Sequence, residues 1–267
     1  MKFYKYEATG NDFLIFKDIP SNPENLSRKI CDRRFGFGAD GILFPSKSID
    51  ADIKMNYYNS DGSLATMCGN GIRAFTKFLL DEKIINKDHF YIETLAGIIE
   101  VSLEDDLIKA NLGKPILNLF KPFLNKNING LNLTTINNFK FYLVNTGVLH
   151  AVLFKNDNPS FNLNNDTKTI QENPLFINQT NVNLVEIINE NTIKVDTFER
   201  GSGPTLSCGT GLSGAAYLSY KLNLIKTNKI NVLVKGGNLL VEINKDDEIL
   251  LKGPAKRIGS GNYEGKY

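Results

Sequence analysis

Apolar and polar residues alternate in short runs along most of the chain, the two-residue period of strands that bury one face. Phe3, Tyr4 and Tyr6, the turn Thr9-Gly10-Asn11-Asp12, and Phe13-Leu-Ile-Phe16 predict two strands joined at a tight turn or bulge. Ser21 is the predicted N-cap of a helix running through Arg33, with Pro23 in its first turn and Leu26 and Ile30 on one face. The glycine-rich turn Gly36–Gly41 leads into Ile42-Leu-Phe44, and residues 52–58 alternate with Ile53, Met55 and Tyr57 on one side. The period then changes, and a helix is predicted from Ile72 to Glu82. Strands follow at 90–94, 98–103 and 107–112, closed by Gly113-Lys-Pro115. Asn and Lys enrich 121–140, which reads as a connection plus a short strand.

The second half repeats the first. Thr9-Gly10 followed by Phe13–Phe16 is echoed by Thr146-Gly147 followed by Ala151–Phe154. Cys68-Gly-Asn-Gly returns 140 residues on as Cys208-Gly-Thr-Gly, and Gly97-Ile-Ile-Glu-Val returns at the same offset as Gly237-Asn-Leu-Leu-Val. Asp105-Asp-Leu-Ile is echoed by Asp246-Asp-Glu-Ile, and Gly113-Lys-Pro115 by Lys252-Gly-Pro254. A period this long is a domain duplication and not a solenoid. The fold class expected is α/β (α+β), with two pseudo-symmetric domains, 1–115 plus 253–267 and 116–252. Each carries many short strands wrapped around a central helix, with the active site in the cleft between them. The second helix, from Leu212, is apolar on most faces and reads as buried all round. The first has Ile72, Phe75 and Leu79 on one side but Arg73, Lys77 and Asp81 as well.

Composition narrows the function. Thirty-one basic and 29 acidic residues leave a net charge of +2, mixed along the chain, so no field for nucleic acid or a membrane surface is implied. No apolar run is long enough for a bilayer span or a signal peptide, and a cytoplasmic protein is expected. Three widely spaced cysteines, Cys31, Cys68 and Cys208, make no disulfide framework. With only His89 and His150 beside them, they make no structural zinc site either. Cys31 lies next to an apolar helix face and reads as a packed thiol, and His89 as a surface residue. The glycine turn at 36–41 lacks the Gly-Lys-Ser/Thr of a phosphate cradle.

The candidate chemistry lies in the two Cys-Gly-X-Gly helix starts. A thiol at a helix N-terminus is pushed toward thiolate by the backbone N–H groups and the dipole. Two such thiols, symmetrically placed, can remove a proton from one face of a carbon and return one to the other. That is cofactor-independent racemase or epimerase chemistry. The amides of Gly69, Asn70, Gly209 and Thr210 are suited to the charge that develops on an adjacent carboxylate. A redox pair cycling Cys68 and Cys208 through a disulfide, a proline- or hydroxyproline-type racemase, and a non-catalytic binding protein are the competing readings. Asn59 and Glu199 each stand nine positions before their cysteine.

The runs Thr9-Gly-Asn-Asp-Phe13, Asn59-x-Asp-Gly-Ser63, Cys68-Gly-Asn-Gly71, Asn145-Thr-Gly147 with His150, Thr180-Asn181, and Glu199-Arg-Gly-x-Gly203 with Cys208-Gly-Thr-Gly211 resemble the diaminopimelate epimerase family, in order and over nearly the whole chain. The resemblance implies a homodimer without cofactor that converts LL-2,6-diaminopimelate to the meso form for lysine and cell-wall synthesis. It implies Cys68 as proton donor and Cys208 as acceptor in that direction. Asn11, Asn59, Asn181 and Arg200 resemble residues that hold the substrate, with Arg200 on a carboxylate and Glu199 on an ammonium. The Gly69-Asn70 and Gly209-Thr210 amides resemble the reacting carboxylate's cradle, and His150 and Glu199 resemble residues that tune the thiols. The chain departs from the family at Val148-Leu149-His150, where Asn-Pro-His or Val-Pro-His is common, and at Gly41, where some members have Gln.

Overall fold

The computed structural model describes residues 1–120, 124, 130–131 and 133–265. It divides into two compact units, Met1–Asn111 with Lys252–Tyr267, and Leu112–Leu251.

The first unit begins with β1 (Lys2–Ala8) and β2 (Asn11–Ile15), antiparallel, with Ala8 opposite Asn11. The turn between them holds Thr9 and Gly10 at φ of 47° and 94°, so the glycine predicted at a turn is needed there. Helix α1 (Pro23–Ile30) crosses to β3 (Gly41–Ser46), which lies parallel to β2. Strand β4 (Ile53–Asn59) returns antiparallel to β3. Helix α2 (Gly69–Asp81) crosses to β5 (His89–Thr94), parallel to β4, and β6 (Gly97–Glu104) and β7 (Leu107–Asn111) follow as antiparallel hairpins. A parallel pair needs a crossover, and each crossover here is a helix.

The second unit follows the same plan. Strands β8 (Leu133–Ile136), β9 (Phe139–Asn145) and β10 (Leu149–Phe154) run antiparallel, and helix α3 (Thr167–Gln171) crosses to β11 (Asn181–Asn189), parallel to β10. Strand β12 (Thr192–Glu199) pairs antiparallel with β11 and carries the short β13 (Gly203–Thr205) on its end. Helix α4 (Gly209–Lys221) then crosses to β14 (Lys229–Val234), parallel to β12, before β15 (Gly237–Ile243) and β16 (Ile249–Gly253). The last strand, β17 (Lys256–Asn262), returns to the first unit and pairs with β1. The sequence β-α-β-β-α-β-β thus occurs once in each unit, with the short β13 added before the second helix of the second unit, which is the duplication read from the 140-residue offset.

In each unit the strands curve around one helix. Helix α2 packs against β1, β2, β7 and β17, and α4 against β9 to β12, β14 and β15. Helix α4 is buried from Gly209 to Ser219, as its composition predicts, because small Gly, Ser and Ala residues admit strands on every side. A second apolar layer lies on the outer face of each sheet. Leu26 and Ile30 of α1 meet Leu14, Phe16, Ile42 and Phe44, and Ile170 of α3 meets Leu153, Phe141 and Val182.

Local details differ from expectation. The α1 cap is Asn22 and not Ser21. The Asn22 side chain accepts from the Asn25 amide at 3.2 Å, which leaves Pro23 at the first helical position where its missing N–H costs nothing. The helix stops at Ile30 and not at Arg33, because the Phe37 and Gly38 amides turn back onto the Ile30 carbonyl and Asp32 accepts from the Arg34 and Phe35 amides. Cys31 is 2% exposed beside Ser27, as expected of a packed thiol, and burial pushes it up to about 12. Of the three charged residues noted on α2, Arg73 is fully buried, Lys77 is half-buried and Asp81 is exposed. Part of the connection read over 121–140 lies outside the described residues. Among the described residues, no helix is long and apolar enough to cross a membrane.

Phe78 is the packing centre of α2 in the first unit. It is fully buried, with ring centroids 5.4 Å from Tyr4 and 6.0 Å from Tyr6. Phe78→Ala is expected to lower stability by about 3–5 kcal/mol, read as a shift of the urea midpoint without a change in slope.

Candidate active site

Both helices that carry the repeated motif start at its cysteine. Cys68 caps α2 in extended backbone (φ −143°, ψ 125°), and its sulfur accepts from the Gly71 amide at 3.3 Å. Cys208 caps α4 in the same backbone region (φ −119°, ψ 105°). Each thiol therefore sits where helix N–H groups lack intrahelical partners and the dipole favours an anion.

In the first unit the structure brings Asn11, Asn70 and Cys68 together. Asn70 follows Cys68 by two residues, and its amide donates to Asn11 Oδ1 at the start of β2. Asn11 Nδ2 donates to Asp40 Oδ2 at 2.8 Å, and the Asp12 amide donates to the same oxygen at 3.2 Å. Asp40 Oδ1 accepts from Arg33 at 2.8 Å. Asp40 was not found from sequence, although it immediately precedes Gly41, opposite which Asn59 pairs in β4. Asn59 closes β4, where its Nδ2 donates to Ser63 Oγ at 2.9 Å and its carbonyl accepts from Ser27 Oγ at 2.5 Å. A Cβ at Gly41 would meet the Tyr58 carbonyl oxygen at 2.5 Å, so this backbone has no room for the Gln seen there in some members of the family named above.

In the second unit strand register builds a polar row behind Cys208. His150 is opposite Asn181 in β10–β11, and Asn183 is opposite Thr197 in β11–β12. Thr197 Oγ1 donates to Asn183 Oδ1 at 3.0 Å, which turns the Asn183 NH₂ toward His150 Nδ1 at 3.1 Å. An amide NH₂ only donates, so Nδ1 is the bare nitrogen. Burial holds His150 neutral, pushing its pKa down to about 3. The ring proton then lies on Nε2, which donates to Thr210 Oγ1 at 3.0 Å. The Thr210 hydroxyl lies 3.4 Å from Cys208 Sγ and donates to it when the sulfur is a thiolate. In that state every bond in this row delivers its proton toward the sulfur. A donor at the sulfur favours thiolate. Thr146 ties down the same residue by donating to the Thr210 carbonyl at 2.9 Å. Asn183 and Thr197 were missed in the sequence. The available signal was a polar residue in the alternating apolar row of each strand, Asn183 in line with Val185 and Ile187, and Thr197 in line with Ile193 and Val195.

Asn181, Glu199 and Arg200 lie together at the ends of β11 and β12. Asn181 Oδ1 accepts from the Arg200 amide at 2.9 Å, and its Nδ2 donates to the Leu149 carbonyl at 3.2 Å. Arg200 is exposed and its guanidinium donates to the Asn178 carbonyl. Glu199 ends β12 at the place in the second unit that Asn59 occupies at the end of β4. Among the described residues, no group of three or more His, Cys, Asp or Glu is placed to hold a metal ion.

His150 makes a pH test of this geometry. Its pKa is lower folded than unfolded, so the unfolded chain binds a proton that the native one refuses. The stability His150 contributes by staying neutral is intact above about 6.5 and is lost as pH falls toward about 3. Over that window the native protein should lose about 1.4 kcal/mol per pH unit more steeply than His150→Asn. Urea unfolding of both proteins at a series of pH values measures the difference, and equal slopes would mean that His150 is not held neutral.

The chain matches the family model described as diaminopimelate epimerase over residues 3–117 and 142–258. It is 38% identical to the diaminopimelate epimerase of Alkaliphilus metalliredigens, covering 98% of this chain and 97% of that protein. It is 37% identical to that of Clostridium perfringens, covering 98% and 99%. Among solved structures it resembles a hydroxyproline epimerase from Agrobacterium vitis with bound trans-4-OH-L-proline (TM-score 0.70, 13% identity, 98% of this chain and 91% of that one). It also resembles a PhzF-family phenazine biosynthesis protein from Bacillus anthracis (TM-score 0.68, 18% identity, 98% of both chains). The structural likenesses establish the shared fold, and the sequence matches, which cover nearly the whole chain, establish that it belongs to the diaminopimelate epimerase family.

Proposed function

We propose that this isomerase converts LL-2,6-diaminopimelate to meso-diaminopimelate by two-base proton transfer, with Cys208 and Cys68 as the two bases. The observation that carries the reading is the pair of cysteine N-caps, one on each of two equivalent crossover helices. The reaction requires one sulfur on each face of the α-carbon. In the forward direction the Cys208 thiolate takes the α-proton, and the C–H electron pair stays on the carbon and spreads into the carboxylate. The Cys68 thiol then delivers its proton to the opposite face, which inverts the centre. Turnover leaves Cys208 as thiol and Cys68 as thiolate, and exchange with solvent resets both.

The helix starts stabilise the charge on the carboxylate through the Gly69, Asn70, Gly209 and Thr210 amides. A helix terminus contributes up to about 2 kcal/mol in a partly buried site, little more than one pKa unit at about 1.4 kcal/mol each. Exclusion of water from the bound substrate supplies what the dipoles do not. Asn11, Asn59, Asn181 and Arg200 hold the substrate, Arg200 through a carboxylate, and Glu199 holds an ammonium. His150 and Glu199 tune the thiols. The same reading makes the working form a homodimer without cofactor.

In deuterated water with reductant and no added cofactor, the protein should epimerise LL-diaminopimelate and incorporate solvent deuterium at the inverted carbon, while leaving proline unexchanged. Cys68→Ala and Cys208→Ala should each lower turnover by about 10²–10⁴. Full turnover by Cys208→Ala would sink the two-thiol mechanism, and exchange of proline in place of diaminopimelate would move the chain to a different substrate class.

A further inference from the structure

Arg73 has no role in the scheme above, and its surroundings are unusual. It is 0% exposed. Long helical side chains lean toward the N-terminus, and that lean carries its guanidinium back over the first turn of α2. There one terminal nitrogen donates to the Gly69 carbonyl at 2.9 Å, and the other to Thr9 Oγ1 and Asn70 Oδ1, both at 2.9 Å. All three acceptors are neutral. Nε is buried with no hydrogen-bond partner among the described residues, and no salt bridge to Arg73 is found among them. A buried cation without a carboxylate is unfavourable, and at the positive end of a helix dipole it is more so. Such a site calls for a nearby anion. Cys68 caps the same helix immediately before Gly69, whose carbonyl Arg73 holds, so a negative charge on its sulfur, like that of the Glu7 carboxylate on β1, favours the charged guanidinium. Burial pulls Arg73 down only to about 10, so the charge is present at neutral pH.

The second unit lacks this device. At the 140-residue offset Arg73 corresponds to Ser213, whose hydroxyl is buried and unpartnered among the described residues. Behind Cys208 stand a neutral histidine and a threonine instead.

We propose that Arg73 is a positioning residue that acts through Cys68, as the fixed counter-charge that stabilises the thiolate Cys68 becomes when it gives up its proton. This deepens the two-thiol reading and rests on it for its catalytic meaning. Forward turnover ends with the negative charge on the Cys68 sulfur, and the buried guanidinium stabilises that state. The same side chain grips Asn70, whose amide holds Asn11, so one cation orders both the acid and a substrate-binding side chain.

The test is per-cysteine alkylation by iodoacetamide across pH 5–10, read by mass spectrometry on the full-length protein. It needs no substrate, so its outcome is separate from whether diaminopimelate is turned over. In the native protein Cys68 should titrate at least about one pH unit below the cysteines of the urea-unfolded chain. Arg73→Met should raise that value, lowering the Cys68 alkylation rate near pH 6.5 about tenfold, and should leave the Cys208 profile in place. Arg73→Lys should restore the Cys68 profile, which a purely packing role does not require. An unmoved Cys68 profile in folded Arg73→Met overturns the proposal. Should that variant not fold, the native profile decides alone: Cys68 titrating with or above the unfolded cysteines overturns it.

Discussion

A helix start buried in protein has to find partners for its free N–H groups, and that constraint organises both halves of this chain. Helices α2 and α4 are enclosed by strands, so their first turns cannot rely on bulk water. In α2 the Cys-Gly-X-Gly sequence meets the constraint with the Cys68 sulfur, which accepts from the Gly71 amide, while Cys208 holds the cap position of α4 without a side-chain cap hydrogen bond; in both the first turn is kept small. At Gly211 a Cβ would come within 2.3 Å of Asn183 Oδ1 and 3.0 Å of the His150 ring, so the third residue after the cysteine is glycine because a polar row lies against it.

The two halves share a skeleton but not an electrostatic environment. Strand order, crossover helices and cysteine caps correspond, whereas the groups behind the sulfurs do not. Cys68 has a permanent cation deep in the protein. Cys208 has hydrogen bonds from uncharged groups, relayed across three strands. A duplicated domain starts with two equal thiols. In the two-thiol reading proposed above the sulfurs have opposite tasks, which favours divergence at buried positions, and the halves do diverge at Arg73 against Ser213.

Much of this was legible in the sequence because it is local. Alternation marks strands, glycine marks the β1–β2 turn, and the motif marks the helix starts, so the duplication and both cysteine caps could be read residue by residue. What was hidden depends on register and enclosure. Asn183 and Thr197 become neighbours of His150 only when β10, β11 and β12 align, which no short spacing announces. Arg73, Lys77 and Asp81 share one helical face, and spacing alone does not say how deep each lies. Along that face α2 goes from buried at Arg73 to half-buried at Lys77 and exposed at Asp81. The misplaced α1 cap has a simpler cause: Ser21 and Asn22 are both good caps, and the choice falls to the one that leaves proline at the first helical position.

The third cysteine has a practical meaning. Cys31 is sealed beneath α1, with its thiol pushed to about 12, so a thiol reagent at neutral pH finds almost no thiolate there while the chain is folded. Its capture therefore reports opening of the outer layer of the first unit and not events at the helix starts. The molecule carries its own internal clock for local unfolding, written in the same chemistry as its functional groups and separable from them by mass.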